Sequence, residues 1–209
     1  MDRIGARTVE LHEPKFLWHR AELVGNPGLV PAGTGVYAWF ARTGSLPKLV
    51  VAKHRWREWS LINLGKSRVG KTDGLRRRLI VHCTRSAGHS RPFRLLLGKL
   101  LEDSLGLRLL YQGHPELFAV DHPGHRTPWP EGECRLDAWL DECAAVAWIL
   151  TEDETEIEGR LIRALSPPCN SEDNPWWEEL ISEIRGLGVS RRALRWGTWA
   201  VAQRALGRA

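Results

Sequence analysis

The chain has 209 residues, of which 43% are apolar, and a formal net charge of +5. That length suits one domain with elaborations, and the apolar share suffices for an ordinary core. No apolar run reaches membrane-span length and the opening "MDRIGARTVELHEPKF" has no signal-peptide core, so the expectation is a soluble, cytoplasmic protein without membrane contact.

Residues 1–34 read as an N-terminal arm, broken by Pro14, Pro27, Gly28, Pro31 and Gly33. "GVYAWF" (Gly35–Phe40) is rich in β-formers and predicts a buried strand. "KLVVAK" extends a possible hairpin, and "SLINLG" predicts a second strand ending at Gly65. Helical spacing in "LRRRLIVHC" turns Leu75, Leu79 and Ile80 inward. "PFRLLLGKLLEDSLG" predicts one helix, opened by Pro92 and stopped at Gly106. The Pro, Gly and His content of 111–133 predicts an exposed loop; "CRLDAWLDEC" then predicts a helix and "AAVAWIL" a third strand. Thr151 and Glu154 have capping-box spacing for a last helix that buries Ile157, Leu161 and Leu165 and ends at "SPPCN". A helical, basic extension fills 171–209. The sum is an α+β domain at 35–170, a small sheet covered by helices.

The charge is uneven. Residues 53–94 hold 12 Lys or Arg against 2 acids, 95–184 hold 6 against 19, and six arginines with no acid follow from Arg185. Clustered cations gain from phosphate contact and counterion release, which favours nucleic acid as partner over a merely solvated face. Four cysteines, Cys83, Cys134, Cys143 and Cys169, lack paired spacing and read as reduced thiols. Zinc held with His122 and His125 of "HPGH" is the alternative, although no Cys-x-x-Cys pair supports it. Of eleven tryptophans, Trp176, Trp177, Trp196 and Trp199 could stack on bases; packing is the commoner role.

Six Lys or Arg lie between Lys66 and Arg78, just past Gly65, and Arg78 and His82 share one helix face. "GVY", "NLGK", "RRLIVH" and the stretch "EGRLIRALSPPCN" follow in one order. That order resembles the GIY-YIG nuclease superfamily over residues 35–170. "SAGHSRPFRLLLGKLL" is similar to an insertion of bacterial stand-alone members. The resemblance implies a three-stranded antiparallel sheet between helices. It implies DNA phosphodiester hydrolysis with Mg²⁺ or Mn²⁺, in a restriction, repair or mobile-element setting. It gives catalytic roles to Tyr37, Lys66, Arg78 and His82, the metal carboxylate to Glu158, and a further site position to Asn170.

The types suit the chemistry. Lys, Arg and His donors stabilise charge on a phosphoryl group, one carboxylate can hold a hard cation, and a phenol can activate water if neighbouring cations lower its pKa. The departure is Asn63, standing where the second motif has a tyrosine. An amide is no base near neutral pH, though it can orient a water or bind a phosphate oxygen. Tyr37 is then the one motif-placed phenol, with His82 as the other base. Two alternatives stay open: a DNA-binding module whose chemistry is lost at Asn63, and an enzyme acting on a small anionic metabolite. If Glu158 is the metal ligand, it must fold to within a few ångströms of Tyr37, Lys66, Arg78 and His82.

Overall fold

The computed structural model describes residues 3–46, 55–67, 74–84, 91–107, 120–122, 125–126 and 132–170. "KLVVAK", most of 111–131 and the extension 171–209 with its four tryptophans lie outside them.

Three long strands carry the sheet: β2 (Gly35–Arg42), β4 (Trp59–Lys66) and β7 (Ala144–Leu150). They are the three the sequence predicts. The sheet has five strands instead of three, because two-residue strands β1 (Trp18–His19) and β3 (Arg55–Trp56) line its edges in the order β1-β7-β2-β4-β3. All pairings are antiparallel. Short edge strands leave few unpaired backbone groups to recruit another chain.

β2 is buried on both faces, which explains its unbroken apolar run. One face presents Tyr37, Trp39 and Ala41 to a core shared with α2 (Arg20–Gly25), α3 (Gly74–Cys83), α4 (Arg91–Leu100) and α6 (Glu133–Cys143). The other packs Val36, Ala38 and Phe40 against Leu11 of α1 (Arg3–His12) and Ile157 and Leu161 of α7 (Glu154–Leu165). Residues 3–34 are therefore not a free arm. A sheet buried on two faces needs cover on both, and this segment supplies α1 to one, Leu23 and Val30 to the other, and β1 to an edge.

The predicted helix at 92–106 is bent at Leu101 into α4 and a one-turn α5 (Glu102–Leu105). Leu101 still donates to Leu97 O and accepts from Leu105 N, so the ladder continues through the bend. Gly106 ends it in the left-handed conformation that glycine adopts at no steric cost. Asp153, not Thr151, precedes α7; Thr151 Oγ1 accepts from the Asp153 N–H at 3.1 Å, a local turn in place of the predicted capping box. β5 (Val120–His122) and β6 (His125–Arg126) form a separate hairpin.

Candidate active site

The site lies where β2 begins and β4 ends. Ser67 closes that end: its Oγ accepts from Gly35 N at 2.7 Å and its own N–H donates to Gly35 O at 2.9 Å. Tyr37 stands opposite Gly65 across the β2–β4 ladder. A Cβ at Gly65 would overlap the Tyr37 hydroxyl and Cζ, so only glycine lets the ring lie flat on β4. The first-motif tyrosine and the second-motif glycine are thus two halves of one packing unit.

α3 starts where Leu75 N donates to Gly33 O, and runs so that Arg78 and His82, one turn apart, both face the phenol. Tyr37 Oη lies 2.8 Å from His82 Nε2 and 3.4 Å from Arg78 Nε. Arginine has only donors to offer, so the phenol oxygen accepts from Arg78; donation of the phenol proton to Nε2 goes with the Nδ1–H tautomer of His82. Nδ1 is buried without a hydrogen-bond partner among the described residues. Burial and the guanidiniums of Arg78 and Arg94 hold His82 well below its ordinary 6.5, so the imidazole is neutral. Burial raises the Tyr37 pKa, Arg78 pulls it back and Glu158 adds to the rise. The phenol is therefore not ionised beforehand by its cations; it is a protonated hydroxyl beside a neutral imidazole.

Glu158, on α7, meets Lys66 Nζ at 2.9 Å and acts electrostatically on Tyr37. Tyr37, Lys66, Arg78, His82 and Glu158 thus gather at one sheet end from three parts of the sequence. Asn63 does not join them. The ladder slips between Trp39 and Phe40, leaving Asn63 paired with Trp39 and Leu61 with Phe40. The Asn63 amide donates to Cys169 O at 2.9 Å and Asn170 Oδ1 at 3.3 Å, and its own Oδ1 is buried without a partner among the described residues. Asn170 likewise braces the strand: Oδ1 accepts from Leu64 N and Nδ2 donates to Leu64 O, both at 2.7 Å. Asn170→Ala would leave both Leu64 groups buried and unpaired. We expect a loss of about 3 kcal/mol in denaturant unfolding, and a change below about 0.5 kcal/mol would remove this role.

Five charged residues beside the site stand outside every motif of the sequence. Buried Arg94 on α4 binds Glu133 and, at 2.8 Å, Asp137 of α6. Arg20 reaches Asp137 at 3.1 Å and Asp141 at 2.7 Å. One signal was available: Glu133 and Asp137 are four apart, on the α6 stripe that buries Leu136 and Leu140.

All four cysteines are free thiols, and no three metal-ligating side chains cluster among the described residues, so the zinc alternative gains no ligand set there. Burial pushes Cys83 up to about 12 and raises Cys169 as well. His82 with a depressed pKa destabilises the fold as pH falls below 6.5, because only the unfolded chain then takes the proton. The raised thiols destabilise it as pH rises past 9, because only the unfolded chain then releases one. Unfolding free energy should therefore plateau between these values and fall on either side by up to about 1.4 kcal/mol per pH unit per group. A urea series across pH that keeps rising below 6.5 would contradict this.

A phenol, an imidazole, two cations and one carboxylate thus stand together at one sheet end. The family model described as the GIY-YIG catalytic domain matches residues 35–187, and the chain belongs to that family. No curated protein and no solved structure gives a significant match. Among the described residues no helix is long and apolar enough to cross a membrane.

Proposed function

We propose that the chain is a cytoplasmic endonuclease that hydrolyses DNA phosphodiesters, using Mg²⁺ or Mn²⁺ at Glu158. The observation that carries this reading is the Tyr37 hydroxyl held between His82 Nε2 and Arg78 Nε, with the Lys66–Glu158 pair beside it. The donor set fits a hard cation that keeps most of its waters: one carboxylate, partly exposed, beside a displaceable ammonium. Such a cation supplies charge neutralisation at the phosphoryl and leaving oxygens.

The protein's own groups do the rest. Lys66 and Arg78 stand at the rim and meet the scissile phosphate first. Arg78, drawn to a phosphoryl oxygen, uncovers the phenol, which is 1% exposed at rest. Tyr37 then takes a proton from water as its own passes to His82, the neutral acceptor 2.8 Å away. The alternative, a binding module on this fold, is favoured by one observation: Asn63 is committed to bracing residues 169–170.

Incubation with supercoiled, linear and single-stranded DNA decides between them. Scission that needs Mg²⁺ or Mn²⁺ and is absent from Glu158→Ala supports the endonuclease. Salt-sensitive binding without scission in any metal supports the module, the more so if Asn63→Tyr then creates cleavage.

A further inference from the structure

We propose that Arg20, which precedes every residue matched by the family model, is a positioning residue for α3: with the segment around it, it sets where Arg78 and His82 stand against Tyr37. The kinetic part of this rests on the endonuclease reading; the geometric part does not.

The segment is itself firmly placed. β1 registers Trp18 with Val146 and His19 with Ala145, and His19 Nδ1 lies 3.2 Å from Ala144 O. The His19 N–H donates to the Glu22 carboxylate at 2.7 Å, which starts α2 at Arg20. From that point the guanidinium reaches in two directions. Nε donates to Cys83 O at 2.6 Å. Nη1 meets both oxygens of Asp141, at 2.8 and 2.7 Å, and Nη2 lies 3.1 Å from Asp137.

Cys83 is the last residue of α3 and follows His82 directly. Its carbonyl is among the last four of the helix, which have no partner inside it, and a cation there also complements the helix dipole. The other end of α3 is held by the same N-terminal segment, through Leu75 N to Gly33 O at 2.9 Å and Arg76 Nε to Val30 O at 2.7 Å. The catalytic helix is thus cradled at both ends by residues before Gly35. The Tyr37–His82 contact has little tolerance, since a shift of about 1 Å takes 2.8 Å out of hydrogen-bond range. Arg94 completes the brace by sharing Asp137 with Arg20 from the α4 side.

A purely structural ion pair and a positioning residue predict different results. Arg20→Met, assayed where it is fully folded, should show a kcat roughly 10- to 100-fold lower with KM within about twofold. Arg20→Lys, which keeps the charge and loses the fork, should recover stability better than kcat. Wild-type kcat in folded Arg20→Met overturns the proposal. A second readout needs no cleavage: the ¹⁵N imidazole resonances of His82, set by its bond to Tyr37, should move in Arg20→Met. They should not move in Arg160→Met, which breaks the exposed pair with Glu156. If the wild type cleaves no DNA, the endonuclease reading fails, and an unchanged His82 spectrum in Arg20→Met still overturns this one. If Arg20→Met does not fold, Asp141→Asn, at the outer end of the bridge, decides by the same readouts with a smaller drop expected.

Discussion

Replacing Arg94 by methionine is expected to cost about 3–5 kcal/mol, although the two side chains are similar in length. Arg94 is 4% exposed, and its Nη2 serves Glu133 and Asp137 together, both of them buried. Its loss takes from Glu133 and Asp137 the cation they share, in a place where water cannot replace it, although Asp137 keeps Arg20. An exposed pair such as Arg160–Glu156 sits at the other limit, worth under about 1 kcal/mol. For a chain of this size the Arg94 loss should lower Tm by roughly 10 °C. Removing Glu133 as well, in Arg94→Met/Glu133→Met, should return part of that loss, because one of the two buried charges that Arg94 served goes with it. Chemical denaturation of the two variants checks both statements; a single-mutant loss under about 1 kcal/mol would show that water reaches the cluster. Arg94 also helps to hold His82 neutral, so the variant should make His82 easier to protonate.

The central strands and the helices on them were legible because their signals are local. "GVYAWF" is apolar on both faces and becomes a strand buried on both faces. Leu75 and Leu79 repeat at helical spacing and become the buried side of α3. The site residues were legible as motif residues in one chain order, and Arg and His one turn apart are a constraint a sequence can display; that Gly65 lies against Tyr37 is not, because it rests on the β2–β4 register. What stayed hidden depends on long-range pairing. β1 is two residues long and has no period to detect, yet it converts an apparent arm into sheet edge and helix cradle. Arg20, Arg94, Glu133, Asp137 and Asp141 are residue types that ordinarily face water, and only the approach of α2, α4 and α6 makes them a shared interior network.

Asn63 shows the same limit in one residue. Its place in the motif invites a catalytic reading, but its amide is taken up by Cys169 O and Asn170 Oδ1, partners far off in the sequence that no residue pattern announces. The pKa of Tyr37 is another case. Cations nearby in sequence suggest a lowered value, whereas full burial wins and raises it.

On the proposed endonuclease reading, Glu158→Gln should fold and lose metal-dependent cleavage by roughly a thousandfold or more. Folding survives because the side chain keeps its shape, and because the bond it loses, to a Lys66 that is itself one-third exposed, contributes under about 1 kcal/mol after solvent screening. Cleavage fails because the amide offers a hard cation no negative charge, and water, not a second carboxylate of the site, is left to hold it. Mn²⁺ binding followed by electron paramagnetic resonance should weaken in parallel. DNA binding without metal should go the other way. The carboxylate that repels the phosphate is gone and the Lys66 ammonium is free to meet it, so affinity should rise severalfold at low salt. A variant that misfolds would leave all three readouts low together, so opposite signs for cleavage and metal-free binding are the signature of Glu158 as the metal carboxylate. Cleavage that persists in Glu158→Gln at the wild-type metal concentration would remove it from that role.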